Sequence, residues 1–130
     1  MNYKAKVFLS GGFKSNWQSK VIEGLEDKFM FFNPREHGLE HSDFYTTWDI
    51  HFVKECDILF AYMEESNPSG FGLAFELGVA YSLNKTIILI DEKSKGDSTF
   101  ARYFKILHKP SGVVLNNLFE GIDFLKKFAL

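Results

Sequence analysis

Residues 58–90 read ILFAYMEESNPSGFGLAFELGVAYSLNKTIILI, and they predict a β-strand, an α-helix and a second β-strand. The two ends, Ile58–Tyr62 and Thr86–Ile90, are continuous apolar runs, which are typical of strands buried on both faces of a parallel sheet. Between them, Gly70–Leu83 is apolar on nearly every helical face. Because parallel neighbours need a long crossover, usually a helix, this segment indicates a βαβ unit.

The same alternation continues towards both ends of the chain, so we predict one α/β domain spanning residues 1–130. Five strands alternating with helices favour a doubly wound fold, flavodoxin-like or Rossmann-like, with a parallel sheet in the order 2-1-3-4-5. Such a sheet binds its ligand at the carboxyl ends of strands 1 and 3. The other predicted strands are Val7–Leu9, Phe29–Phe32 and Val113–Leu115, and the other predicted helices cover residues 16–27, 44–56, 100–108 and 118–128.

The composition is ordinary for a globular protein and excludes several classes of function. Of 130 residues, 45% are apolar, and 15 Lys+Arg against 17 Asp+Glu give a formal net charge of −2. We expect no nucleic acid polymer as partner, because duplex binders usually carry a basic stripe. No apolar run is long enough for a signal peptide or a membrane span, so we expect no membrane partner and a cytoplasmic location. The single cysteine, Cys56, excludes an intrachain disulfide and favours a buried structural thiol.

Glu76 is the only charged residue between Ser66 and Asn84. Two interpretations are open: the side chain reaches solvent through a gap beside a buried helix, or it is held in a pocket. Its position favours the pocket, because it lies within about two turns of the predicted helix start, where the helix dipole stabilises a carboxylate. A partly desolvated carboxylate there can act as a nucleophile on an electrophilic carbon.

A glycine pair follows the first strand at the expected ligand edge. The segment is Ser10-Gly11-Gly12-Phe13, and glycines at this turn let a ligand lie against the bare backbone. Phe13 either stacks on a planar base or belongs to the core. No GxGxxG or GxxxxGK[ST] motif is present, so a dinucleotide or P-loop site is not predicted. Four side chains near this loop would bind a phosphate if they converged: Ser10, Lys14, Ser15 and Arg35.

The segment after the third strand, Asn67-Pro68-Ser69-Gly70, is either a ligand loop or an ordinary turn. In the first case Gly70 lets a ligand approach the backbone, and in the second Ser69 caps the following helix. Side-chain caps are also predicted for the first two helices, at Ser15 or Asn16 and at Ser42 or Asp43.

Asp49 lies beside Trp48 on the second predicted helix. It either hydrogen-bonds a nucleobase and moves a proton, or it is solvated or salt-bridged. Three histidines, His37, His41 and His51, lie in the same region but form no HExxH motif and no helical i,i+4 pair with a carboxylate partner. We therefore predict no metal site and no cofactor.

Taken together, these segments resemble the nucleoside 2-deoxyribosyltransferase family over most of the chain. The most specific part is SGFGLAFELGVAYSLNKTIILI, residues 69–90, which is similar to the family's nucleophile helix and the strand after it. VFLSGGF, residues 7–13, looks like its first strand and substrate loop. WDIHFVKECDILFAY, residues 48–62, resembles its helix-2 aspartate and third-strand entry.

The resemblance implies a role for each matching residue. Glu76 would attack C1′ of a deoxyribose and form a covalent glycosyl-enzyme, and Asp49 would contact the base and assist proton transfer. Gly11 and Phe13 would line the base and the sugar. Phe8 stands where members often carry a tyrosine that orients the nucleophile. We place Trp48, Gly12, Asn67, Ser69 and Gly70, together with Ser10, in the same substrate-binding region.

Three functions follow from these expectations. The first is transfer of 2-deoxyribose between nucleobases, with deoxynucleosides and free nucleobases as partners. The second is hydrolysis of nucleosides or nucleoside monophosphates by an N-glycosidase, as in related branches of the superfamily. The third is a catalytically silent nucleotide-binding module. The resemblance also implies that a neighbouring subunit closes the site, so we expect a homodimer or larger homo-oligomer built on helix 2 (Tyr45, Trp48, Phe52) and helix 3 (Tyr81).

Overall fold

Five parallel strands form one sheet in the order β2-β1-β3-β4-β5, which confirms the predicted fold class. The computed structural model describes residues 3–130. Helices alternate with the strands along the whole chain. In order, the elements are β1 (Ala5–Gly11), α1 (Trp17–Ile22), β2 (Phe29–Phe32), α2 (Ser42–Glu55), β3 (Ile58–Met63), α3 (Phe71–Ser82), β4 (Thr86–Asp91), α4 (Ser98–His108), β5 (Val113–Leu115) and α5 (Leu118–Lys126).

The sheet divides the apolar core into two layers, because successive side chains of a strand point to opposite faces. In β3, Ile58, Phe60 and Tyr62 pack in the layer that includes α1 and α5 residues. Leu59, Ala61 and Met63 pack in the other layer, with residues of α2, α3 and α4. All six residues of β3 are buried. This double burial explains why the central strands are continuous apolar runs in the sequence.

Some helix ends differ from the prediction. α1 ends at Ile22 rather than at residue 27, and the chain turns through Gly24 in the left-handed region (φ 79°). Asn16 occupies the N-cap of α1, but its side chain makes no capping hydrogen bond. The predicted Ser42 or Asp43 cap of α2 is wrong, since His41 occupies the N-cap and its Nδ1 accepts the backbone N–H of Asp43.

The reversal of strand order brings the carboxyl ends of β1 and β3 together. Ser10 pairs with Ala61 and Gly11 with Tyr62 in the parallel ladder. The loops after these strands, together with the start of α3, therefore lie at the edge where doubly wound sheets bind ligands. Within residues 3–130, no helix is long and apolar enough to cross a membrane.

Candidate active site

Glu76 lies in the second turn of α3 and is hydrogen-bonded to the end of β1. Ser10 Oγ donates to Glu76 Oε1 at 2.6 Å. Ser10 is only 1% exposed, and Glu76 is half-buried. The carboxylate is thus held against the sheet, which favours the pocket interpretation of Glu76. Ser10, which we predicted to bind substrate, thus holds the candidate nucleophile, and its contact with substrate stays a prediction.

The surroundings of Glu76 disfavour its charged form. The pKa of Glu76 is raised from 4.5 to about 7, mainly by burial and in smaller part by the charge of Asp49, while the hydrogen bond from Ser10 lowers it. The helices that carry these two acidic residues, α2 and α3, contact each other.

Asp49 is partly buried on α2, with a side chain 19% exposed. Its Oδ1 is buried and has no hydrogen-bond partner within residues 3–130. The Nε2 atom of His37 lies 3.8 Å from this oxygen. Burial raises the pKa of Asp49, and His37 lowers it in part. One of our two interpretations expected Asp49 to be solvated or salt-bridged. The side chain is instead partly buried, and its contact with His37 is a loose one.

Trp48 has a packing role on the same helix. Its ring lies 4.6 Å from that of Phe52 and 6.4 Å from that of Phe8, centroid to centroid. The ring of His37 meets it edge-on at 5.0 Å. Trp48 thus contacts both the core and His37. That Trp48 binds substrate stays a prediction.

The glycine pair after β1 is required by contacts within the chain. A Cβ on Gly12 would lie 2.1 Å from Asn67 Nδ2, and one on Gly11 would lie 2.8 Å from both Tyr62 O and Trp17 Cζ2. The carbonyl oxygen of Gly12 also accepts a hydrogen bond from Trp17 Nε1 at 2.9 Å. The space beside Gly12 is therefore filled by Asn67, and the expected bare backbone for a ligand is covered there by a side chain.

The loop before α3 does not cap this helix as predicted. Gly70 occupies the N-cap and there is no side-chain capping hydrogen bond, so Ser69 does not cap α3, which was one of the two interpretations of this segment. Ser69 instead adopts the left-handed conformation (φ 67°), which turns the chain into the helix. A Cβ at Gly70 would meet nothing within 4 Å, so the backbone here is open to a ligand.

Phe13 is not a core residue, because its side chain is 50% exposed. The guanidinium of Arg35 lies 5.6 Å from its ring centroid and donates to the carbonyl oxygens of Phe13 (2.8 Å) and Ser15 (3.0 Å). Ser15 Oγ donates to Glu64 Oε1 at 2.8 Å. Of the four groups considered for phosphate binding, Ser10, Ser15 and Arg35 therefore already have partners within the chain.

The candidate metal ligands and the single cysteine form neither a metal site nor an activated thiol within residues 3–130. In the part of the chain that the structure describes, no three His, Cys, Asp or Glu side chains are grouped to hold a metal ion. Cys56 is buried and donates to Val53 O, as expected for a structural thiol. Burial raises the pKa of Cys56 to about 11, which disfavours a nucleophilic thiolate.

A family model described as nucleoside 2-deoxyribosyltransferase like matches residues 4–94, well over half of the chain. The chain belongs to this family. The matched region runs from β1 to the loop after β4, and it includes Ser10, Asp49 and Glu76. Comparison with curated proteins finds no match.

Three solved structures share the fold of this member of the nucleoside 2-deoxyribosyltransferase-like family. A 2-desoxiribosyltransferase from Leishmania mexicana is 15% identical (TM-score 0.74), with 97% of this chain and 99% of that chain covered. A conserved protein from Enterococcus faecalis is 16% identical (TM-score 0.73), with 96% and 99% covered. A CMP N-glycosidase from Clostridium botulinum is 25% identical (TM-score 0.62), with 94% and 98% covered.

Sequence reasoning did not place His37 in the site of this family member. We considered His37 only as a metal ligand and excluded it. One signal was available: the loop after β2 starts at the ligand edge of the sheet, so a histidine there can reach the crevice. The partner of Ser15, Glu64, was also missed, because it lies 49 residues away in the chain.

Proposed function

We propose that this protein transfers 2-deoxyribose between nucleobases through a covalent ester on Glu76. The observation that supports this most is the arrangement of two unequal carboxyls. Glu76 accepts a hydrogen bond from Ser10, and Asp49, on the helix that contacts α3, has a buried oxygen without a partner within residues 3–130. One carboxylate fixed as a nucleophile and a second carboxyl available for proton transfer are what glycosyl transfer with retention requires.

In the first half-reaction, a Glu76 oxygen bonds to C1′ as the bond from C1′ to the base nitrogen breaks. The base departs with the bonding electron pair and takes a proton from the Asp49 carboxyl. In the second half-reaction, a nitrogen of the incoming base attacks C1′, the ester C–O bond breaks, and Asp49 takes the proton of the incoming base. Both transition states have oxocarbenium character, and two displacements retain the configuration at C1′.

Incubation with deoxyinosine and free adenine, with products separated by chromatography, tests the proposal. Transfer yields deoxyadenosine and hypoxanthine. Pairing deoxyuridine with thymine extends the test to pyrimidines. Absence of any new nucleoside or free sugar across both pairs would contradict the proposal and support a silent binding module.

Hydrolysis is a second candidate, and the 25% identity with the CMP N-glycosidase over almost the whole of both chains favours it. In this case water replaces the incoming base and free deoxyribose or ribose phosphate appears. Three of the four side chains considered for a 5′-phosphate already make hydrogen bonds within the chain, namely Ser10, Ser15 and Arg35. We therefore put nucleosides before monophosphates, and comparison of cytidine, deoxycytidine and their monophosphates as substrates decides between them.

A cytoplasmic location stays a prediction.

Glu76→Gln is expected to stabilise the fold at alkaline pH. Folding raises the pKa of Glu76 from 4.5 to about 7, so the folded state binds this proton more tightly than the unfolded state does. The contribution of Glu76 to the free energy of unfolding is therefore complete below pH 4.5 and is lost as the pH rises through 7. The glutamine avoids this loss, and the difference should approach about 3 kcal/mol at pH 8.

Urea unfolding of both proteins at pH 4 and pH 8 measures this difference. The exposed Glu26→Gln variant is the control and should show no such pH-dependent gain. The same stability difference at both pH values would contradict the expectation, since it would mean that Glu76 is not desolvated in the fold.

The protein is expected to be a homodimer built on α3 and α4. Trp48 and Phe52, which we predicted for an interface, pack into the core layer instead. Large apolar side chains are exposed on α3 and α4, and a groove of about 640 Å³ runs between the two helices. An exposed apolar surface of this kind often marks an interface. The side chains are Phe71 (96% exposed), Phe75 (58%), Tyr81 (59%), Tyr103 (78%) and Ile106 (74%).

Light scattering at low micromolar concentration tests this assembly. We expect twice the chain mass of 15.0 kDa for the wild type and for Phe119→Glu, a control at an exposed apolar position on α5. Ile106→Glu should shift the protein to monomers and lower its activity. A fully active wild-type monomer would rule out the dimer.

A further inference from the structure

The loop between β2 and α2 places His37 against Asp49. The His37 side chain is only 9% exposed, and its Nε2 lies 3.8 Å from Asp49 Oδ1. This oxygen is buried and lacks a hydrogen-bond partner within residues 3–130. Catalytic hydrogen bonds are often longer before substrate binds and tighten in the reacting complex. A small movement of the ring would give this oxygen a hydrogen-bond donor.

The proton position on His37 follows from its other ring nitrogen. The backbone N–H of Leu39 donates to His37 Nδ1 at 3.0 Å, so Nδ1 is the acceptor and, in the neutral ring, Nε2 carries the hydrogen. The nitrogen that faces Asp49 is thus the donor. Because a carboxylate without a partner is costly to bury, a donor pointing towards it stabilises this arrangement.

Two aromatic rings restrict the orientation of the imidazole. The ring of Tyr45 lies parallel to it, at an interplanar angle of 6° and a centroid distance of 6.5 Å. The ring of Trp48 meets it at 71° and 5.0 Å. Trp48 is itself packed against Phe52 and Phe8. His37 is therefore supported by the core and by the backbone of its own loop, as a residue that orients another side chain must be.

We propose that His37 is a positioning residue, whose Nε2–H binds Asp49 Oδ1 so that the transferable proton resides on Oδ2. This proposal rests on the function proposed above and adds a residue to it. His37, from the loop after β2, contacts Asp49, and the charge of Asp49 in turn raises the pKa of Glu76 on α3. With one oxygen of Asp49 held by His37, the other is left to exchange its proton with the departing and incoming bases.

The tautomer of His37 is the first test, and it does not depend on activity. Nitrogen NMR of the histidine rings should show His37 with Nδ1 as acceptor and Nε2 protonated. A ring protonated only on Nδ1 would overturn the proposal.

Kinetics of His37 variants test the role itself. His37→Phe keeps an aromatic ring between Tyr45 and Trp48, and it should lower kcat on a deoxynucleoside about 10- to 100-fold with little change in KM. Activity on 4-nitrophenyl 2-deoxyriboside, whose leaving group departs without a proton, should fall less than about threefold. His37→Gln, which retains an N–H donor, should recover part of the loss and also serves if the phenylalanine variant folds poorly.

His41→Phe is the matched control. Like His37, His41 accepts on Nδ1 a hydrogen bond from the backbone N–H two residues later, and this nitrogen lies 3.9 Å from a carboxylate oxygen of Asp43. Unlike His37, it is exposed, and it lies at the start of α2, eight residues before Asp49. Its kinetics should equal those of the wild type. The effect of His37→Phe should also vanish when Asp49 is already replaced by Asn, because residues that act through one another are not additive.

The outcomes separate this proposal from the function on which it rests. Equal loss on both substrates, or an undiminished His37→Phe effect in the Asp49→Asn background, would overturn the role of His37 while leaving the chemistry at Glu76 intact. A wild-type protein that turns over no nucleoside would overturn the proposed function, and the role of His37 with it.

Discussion

Replacement of Glu76 by Ala is expected to reduce turnover at least about 10⁴-fold, because it removes the atom that bonds to the sugar in the proposed mechanism. Glu76→Gln should be nearly as inactive, since an amide oxygen is a poor nucleophile although it can still accept the hydrogen bond from Ser10. The fold should survive both changes, because Glu76 is half-buried and its burial opposes the charged state. Turnover of a deoxynucleoside and circular dichroism measure the two effects separately.

The covalent step can be examined directly in the same variants. Mass spectrometry of quenched wild-type protein should find one deoxyribosyl group on the peptide containing Glu76 and none on that peptide in Glu76→Gln. Azide added to Glu76→Ala should restore part of the turnover by occupying the vacated space as an external nucleophile. Glu64→Gln changes a carboxylate whose partner is Ser15, and it is the matched control that should remain active. Near-wild-type turnover by Glu76→Ala would rule out this mechanism.

The fold could be predicted because its signals are local. The strand Thr86–Asp91 and its neighbour Ile58–Met63 are short apolar runs, and burial on both faces leaves such a pattern in the sequence without reference to any distant residue. The strand order followed from the alternation with helices. Errors concerned the ends of helices and strands, and one side chain can decide such a boundary: His41 rather than Ser42 caps α2.

The candidate site was predictable only where one residue was anomalous by itself. Glu76 is a single charge in an apolar segment, and its position in α3 follows from the spacing of the helix. Its hydrogen bond to Ser10 joins residues 66 positions apart, and no local pattern encodes such a contact. The same holds for the cover that Asn67 forms over Gly12 and for the approach of His37 to Asp49. These contacts depend on how loops from different strands meet at one edge.

Asp49→Asn is expected to lower turnover of deoxynucleosides by about 10²- to 10⁴-fold, the usual range for loss of general acid–base help. Asparagine has the same shape, so packing on α2 and the approach to His37 should be preserved. It cannot give a proton to the departing base, however, and it removes the negative charge that raises the pKa of Glu76. The acidic limb of the pH–activity profile should therefore move to lower pH while the maximum rate falls.

Leaving-group dependence distinguishes this role from a structural one. A substrate such as 4-nitrophenyl 2-deoxyriboside needs no proton to release its leaving group, so Asp49→Asn should still form the ester on Glu76 at close to the wild-type rate. Return of the sugar to an incoming base should remain slow, because Asp49 must also accept the proton of that base. The variant should therefore accumulate the glycosyl-enzyme, which mass spectrometry detects. Equal loss with every leaving group and no trapped ester would instead mean that Asp49 maintains the structure of the crevice.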